Sequence, residues 1–221
     1  MTEHSQPATY AVLTGDIVRS RKLGESPVDR IFTILSAAPA ELSSWPDTRL
    51  ALPLTRFRGD GWQLALRSPR AALRVSLFLR AALRRHGREY ATRIGVGLGP
   101  ADLLDTSMPG RSNGAAFELS GKALDTMAAS VRWSARSYLP GPSLIPTVFQ
   151  LCDRVSDGWT ARQAEVMLQL LHPHRPTQRA IAETLSITQQ SVTAHVASAG
   201  GGTLIDAIHG FERFFDNSRR L

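Results

Sequence analysis

Cysteine is nearly absent from this 221-residue chain: Cys152 is the only one, which excludes an internal disulfide and any cysteine-rich zinc site. Its apolar neighbours Phe149 and Leu151 predict a packing role. No stretch approaches the roughly twenty apolar residues of a membrane span. The opening Met-Thr-Glu-His-Ser-Gln-Pro has neither a basic region nor an apolar signal core, so the expected location is the cytoplasm, without a membrane partner. There are also no internal repeats and no low-complexity segments. What is present is ordinary for a globular protein, 43% hydrophobic and 20% charged residues, at a length that suits one medium and one small domain.

The net charge of +7 is unevenly placed. Residues 1–150 hold nineteen Lys/Arg against twelve Asp/Glu, whereas residues 151–221 hold seven of each. Seven arginines, Arg67, Arg70, Arg74, Arg80, Arg84, Arg85 and Arg88, follow one another without an intervening acid. On a helix over about 69–87 the last six share one side, opposite Val75, Leu79, Ala82 and Leu83. That pattern predicts a solvated face, with an anionic partner or nucleic acid as the alternative.

Two Gly-Asp pairs carry the chemical signal. Gly15-Asp16 closes the apolar run Tyr10-Ala-Val-Leu-Thr14, which reads as a buried strand delivering a carboxylate at its exit. Gly59-Asp60 precedes Gly61 between two alternating segments, the Asp-Gly signature of a hairpin. If the strands are neighbours, the two carboxylates converge, and hard cations such as Mg²⁺ or Mn²⁺ favour such oxygen ligands. The plain alternative is local turn chemistry.

Between and beyond them, Ser26-Pro27 predicts a helix start with Ser26 as N-cap and Pro39 near the end. Thr92 to Gly99 reads as a strand whose glycines at 95, 97 and 99 leave one side bare for a ligand or another backbone. Residues 115–128 read as a helix and 131–138 as a strand. The order strand, helix, strand, strand, helix, strand, helix, strand predicts an α+β, ferredoxin-like (split βαβ) domain with a mainly antiparallel sheet. Breakers from Leu139 to Pro146 place the boundary, giving domains 1–140 and 141–221.

Thr14-Gly-Asp-Ile-Val-Arg-Ser20, Gly59-Asp-Gly-Trp-Gln63, Arg93-Ile-Gly-Val-Gly-Leu-Gly99 and Gly114 through Asp125 together resemble SatD family proteins. The same segments over about residues 8–138 resemble the catalytic domain of class III nucleotidyl cyclases. That resemblance implies metal ligands at Asp16, Asp60 and the carbonyl of Ile17, with a nucleoside triphosphate or other nucleotide as ligand. Arg56 matches the position of a base-selecting lysine, and Gly59 and Arg111 join the implied nucleotide contacts. Cyclases carry an asparagine and, four residues later, an arginine in the helix after Gly114, where this chain has Glu118 and Lys122. A carboxylate repels triphosphate and Lys lacks the bidentate fork of Arg, so binding without turnover is the expectation. The resemblance also implies a homodimer.

The C-terminal residues 160–196 resemble a bacterial helix-turn-helix, with Ala180, Ile181, Leu185, Ile187, Val192 and Val196 spaced to bury one face of two short helices. The second helix would present Thr188, Gln189, Gln190, Ser191 and Thr193 to double-stranded DNA, with His195 as buried support. It has no Lys or Arg, although phosphate neutralisation dominates DNA affinity. Residues 199–203 read as a flexible break before a final amphipathic helix, and the His172-Pro-His174 pair as surface loop. The sequence therefore predicts a regulator joining a metal-nucleotide domain to a DNA-binding one. The alternatives are an active two-metal nucleotidyl cyclase or nucleotidyltransferase, and a dimeric interaction module without ligand.

Overall fold

The computed structural model describes residues 8–46, 48–57, 59–138 and 144–218, with side chains described to residue 216. It is an α+β protein with one five-stranded mixed sheet, flanked by nine α-helices among the described residues. Strands β1 (Thr9–Ile17), β2 (Leu50–Phe57), β3 (Gly61–Leu66), β4 (Thr92–Pro100) and β5 (Trp133–Ser137) lie in the order β2-β3-β1-β4-β5. All neighbours are antiparallel except β4 and β5. Since β1 and β2 are both antiparallel to β3, they run the same way with β3 between them. The central place of β1 explains its continuous apolar run: Ala11, Val12 and Leu13 are fully buried, because both faces of the strand are covered.

The helices are α1 (Ser20–Leu23), α2 (Glu25–Ser43), α3 (Ala72–Arg84), α4 (Ala115–Asp125), α5 (Ile145–Asp157), α6 (Ala161–Leu170), α7 (Gln178–Leu185), α8 (Gln189–Ser198) and α9 (Gly201–Ser218). One sheet face, carrying Leu13, Trp62, Leu64, Ile94, Val96, Trp133 and Ala135, belongs to a core that includes α2 and α3 and continues through Phe149, Met167, Ile208 and Phe211 of α5, α6 and α9. The predicted boundary at 140/141 falls on residues outside those described. The other face, with Val12, Leu52 and Ala65, meets Ala116 of α4.

Several local expectations are corrected. Helix α2 begins at Glu25 with Gly24 as N-cap, so Ser26 and Pro27 sit inside its first turn, where backbone N–H groups need no helical partner. Pro39 does lie near the end of α2, as expected, and the Ser43 hydroxyl donates to the Pro39 carbonyl at 2.7 Å. Residues 199–203 are no flexible break. Gly200 takes a left-handed φ of +68°, the Trp159 indole N–H donates to the Ala199 carbonyl at 2.9 Å, and α9 starts at Gly201. A Cβ on Gly201 would come within 2.8 Å of Val196 Cγ1, so this is a tight, packed corner.

The largest correction concerns the arginine stretch, in which Arg67, Arg85 and Arg88 are exposed as expected but the others are not. Every residue of α3 is buried, including Arg74, Arg80 and Arg84. Their charges meet the carboxylates of the C-terminal helices. Arg74 forks onto Glu212 with Nε at 2.8 Å, Arg80 pairs with Asp153, Arg84 reaches Asp157 at 3.4 Å, and Arg70 reaches Asp216 at 3.2 Å. The Arg80 guanidinium also lies 4.1 Å from the centre of the Trp133 ring. Burial, partly offset by Asp153, lowers the Arg80 pKa from its ordinary value.

Cys152 is buried and has the packing role expected of it. Burial first, then the nearby Asp153, pushes its thiol up to about 11. Native protein at pH 8 should therefore resist Ellman's reagent, with labelling at least about tenfold slower than in denaturant, where the full stoichiometry appears at once. Equal rates in both conditions would contradict this burial.

Candidate functional site

The ends of β1 and β3 bring the two Gly-Asp pairs together. In the β1–β3 register Asp16 lies opposite Gly61, one residue beyond Asp60, and the Ile17 N–H donates to the Asp60 carbonyl at 3.1 Å. The strand-neighbour condition for the two carboxylates is thus met. Both line a cleft of about 540 Å³ on the α4 side of the sheet. Its floor is Thr14, Gln63 and Thr55, and its walls include Phe57, Phe117, Leu124 and the 3₁₀ turn Pro109–Arg111. A volume of this size accommodates a small ligand.

The floor is ordered by a chain of side-chain hydrogen bonds. Gln63 Nε2 donates to Thr14 Oγ1 at 3.0 Å, Thr14 and Ser120 hydroxyls bond at 2.8 Å, and Ser120 Oγ donates to the Phe117 carbonyl at 2.8 Å. This places α4 against β1. The glycine strand completes the arrangement: a Cβ on Gly97 would stand 2.0 Å from the Ala116 carbonyl oxygen, and one on Gly95 2.3 Å from that of Ser120. Of the two uses predicted for the bare side, close approach of another backbone is the one realised.

Asp60 accepts from Ser20 Oγ at 2.5 Å. Asp16 is held differently, by both arms of Arg93 on β4, with Nε to Oδ1 at 2.8 Å and Nη2 to Oδ2. The fork to Asp16, more than the added fields of Asp60 and Asp125, raises the Arg93 pKa and keeps this cation charged. Arg93 and Asp125, at the end of α4, are therefore functional candidates that sequence reasoning missed. The signal for Arg93 was its place at the start of the glycine strand, directly across from Asp16 once β1 and β4 pair.

The remaining predicted nucleotide contacts are dispersed. Arg56 faces α2: it lies 4.1 Å from the centre of the Phe32 ring, pairs with Asp29 at 2.8 Å, and donates through Nε to the Gly59 carbonyl at 2.7 Å. Gly59 sits in the β2–β3 turn with φ +78°, beside Arg56 and outside the cleft lining. Glu118 and Lys122 pair with each other at 3.5 Å on the exposed side of α4. Arg111 is exposed in the turn that forms the cleft's rim. That rim loop is braced by Asp105, whose Oδ1 accepts from the N–H groups of Ser107 and Met108 and from the Ser107 hydroxyl. Among the described residues, no three His, Cys, Asp or Glu side chains converge as a ready metal site.

In the C-terminal part, α6, α7 and α8 pack around Val166, Ile181, Ala182 and Val192, with Leu185, Ile187 and Val196 at the edge. Thr160, Thr177 and Thr188 each cap a helix through a side-chain oxygen. Ser186, at φ +52°, turns the chain between α7 and α8. Gln189 and Gln190 are exposed at the start of α8. Thr188 and Ser191 bond each other at 2.9 Å, and Thr193 donates to Gln178 Oε1 at 2.5 Å, so these hydroxyls already have local partners. His195 is half-buried instead of buried.

A scan against protein-family models found no match, and a search of curated proteins found none either. No described helix is long and apolar enough to cross a membrane.

Proposed function

We infer that the cleft binds a nucleotide together with Mg²⁺ or Mn²⁺, and that α7 and α8 are a helix-turn-helix through which the protein contacts double-stranded DNA. The observation that carries the reading is the meeting of Asp16 and Asp60 at adjoining strand ends, on one rim of a small-ligand-sized cleft. The strand order and senses of β1–β4 support a ferredoxin-like (split βαβ) core, and with it the likeness to class III cyclases and SatD proteins. In this reading Asp60 and the Ile17 carbonyl receive the cation first, because Arg93 occupies both oxygens of Asp16. Arg93 is then a competitor for the metal and, once displaced, a donor for phosphate oxygens. The Arg93→Gln variant is expected to bind Mn²⁺ several-fold more tightly while losing nucleotide affinity; calorimetry separates the two effects.

Binding without turnover is favoured, because Lys122 is engaged by Glu118 on the exposed side of α4, outside the cleft lining. Incubating the protein with a mixed nucleotide pool and Mg²⁺, followed by ultrafiltration and mass spectrometry, tests this. Retention of a nucleotide that disappears with EDTA and in Asp60→Asn is expected, with the pool unchanged. New cyclic or linked products lost in Asp60→Asn would establish the enzyme reading in its place.

For DNA, the exposed Gln189 and Gln190 are the base-reading candidates. Selection on random duplexes should yield a bound sequence, and Gln189→Ala with Gln190→Ala should weaken it by about 10-fold or more, as expected for a lost base contact. Failure to enrich any sequence would leave these helices as packing elements. The cyclase likeness also implies that a second copy completes the cleft as a homodimer.

A further inference from the structure

A second cavity, of about 600 Å³, lies where β1 ends, α3 ends, β5 begins and α5 ends. Five cations line it, Arg19, Lys22, Arg84, Arg88 and Arg132, against two carboxylates, Glu89 and Asp157. Arg84 is only 7% exposed, its Nε finds no hydrogen-bond partner among the described residues, and its ion-pair partner, Asp157, stands 3.4 Å away and half exposed, with Glu89 acting on it from further off. Elsewhere on α3 the arginines are paired closely: Arg80 has Asp153 and the Ser156 hydroxyl, and Arg74 has a two-armed bond to Glu212. Among the described residues, Arg19, Lys22 and Arg88 form no ion pair, and the Arg132 guanidinium donates only to the carbonyls of Ala129 and Val131. A buried guanidinium with an unsatisfied N–H, surrounded by further cations, is costly unless an anion completes it.

We propose that this cavity is a binding site for a small multiply charged phosphate anion, with Arg84 as the buried anchor and Lys22, Arg88, Arg19 and Arg132 as its rim. Phosphate oxygens suit the fork of Arg and supply several acceptors to converging donors. The site is separate from the aspartate cleft and does not depend on the function inferred for it. Asp157 and Gly158 lead directly into Trp159 and the N-cap Thr160 of α6, and Val18 continues from Asp16. An anion here would touch the chain on both sides of the ion pairs that join α3 to the C-terminal helices.

Calorimetry with pyrophosphate as the probe, in a buffer of fixed ionic strength with sulfate as the reference anion, tests the assignment. One pyrophosphate per chain is expected, bound at least about tenfold more tightly than sulfate. The exposed pair of changes Lys22→Gln with Arg88→Gln should weaken it about tenfold or more at unchanged melting temperature, Arg88→Lys should retain most of it, and Asp16→Asn should leave it intact. Absence of saturable binding, equal affinity in the double variant, or loss in Asp16→Asn would each overturn the proposal. Failure of the cleft reading would show instead in Asp60→Asn and EDTA, which do not touch this cavity.

Discussion

The Asp153→Ala variant is expected to lose about 3–5 kcal/mol of stability in urea denaturation, because it strands a buried cation. Asp153 is 6% exposed and Arg80 7% exposed. Beyond its pair with Arg80, Asp153 Oδ2 accepts the backbone N–H of Arg132 at 2.9 Å and of Trp133 at 3.3 Å, so the change also orphans donors at the start of β5. The contrast is Glu183, which pairs with Arg179 at 3.0 Å while 67% exposed. Glu183→Ala should change stability by no more than about 0.5 kcal/mol, as surface i,i+4 pairs do. A loss under about 1 kcal/mol for Asp153→Ala would mean that α5 is not anchored to α3 through this pair.

The second large effect is expected at Gly97. An alanine Cβ there would sit 2.0 Å from the Ala116 carbonyl oxygen and 2.5 Å from the Ser120 nitrogen, both backbone atoms of α4 that cannot rotate away. The helix must lift off β4, at a cost of about 3 kcal/mol, at or above the upper end of ordinary overpacking. Since α4 carries Phe117, Leu124 and Asp125 of the cleft, Gly97→Ala should also abolish ligand binding there, even where the protein remains folded. Gly210→Ala is the control: nothing lies within 4 Å of its Cβ, it is helical, and a gain of about 0.5–1 kcal/mol is expected. Thermal melts of both variants check the pair.

These effects mark where sequence reading succeeds and where it stops. Strand β1 and the hairpin at Asp60-Gly61 were legible because their signals are local: a bounded apolar run in one case, turn chemistry in the other. The buried arginines were not. A helical wheel separates Val75, Leu79 and Leu83 from the arginines equally well whether the polar side meets water or carboxylates. Here the partners Asp153, Asp157 and Glu212 lie 73 to 138 residues further along the chain. The neutral balance of residues 151–221 concealed this, since three of its acids, Asp153, Asp157 and Glu212, pair with the arginines of α3.

The candidate site divides the same way. Asp16 and Asp60 were legible as strand-end carboxylates, and the structure brings their strand ends together. Their relation to Arg93 was not, because it depends on β4 pairing with β1 across more than seventy residues. Arg56 was carried by likeness to a nucleotide-contact position, yet Asp29 and the Phe32 ring, one turn apart on α2, hold it on the other side of the sheet. Likewise the glycines of β4 signalled a close approach without saying of what, and the answer is the backbone of α4.

On the function inferred for the cleft, Asp16 and Asp60 form a cation-dependent nucleotide site. The most direct measurement is an electron paramagnetic resonance titration of free Mn²⁺ with the protein, with and without ATP or GTP, in wild type and Asp60→Asn. One nucleotide is expected to enhance Mn²⁺ binding in the wild type, and the enhancement to be lost in Asp60→Asn, while the melting temperature stays within a few degrees. No gain in Mn²⁺ binding over protein-free nucleotide, or an equal gain in both proteins, would contradict this and leave the two aspartates as turn and ion-pair residues.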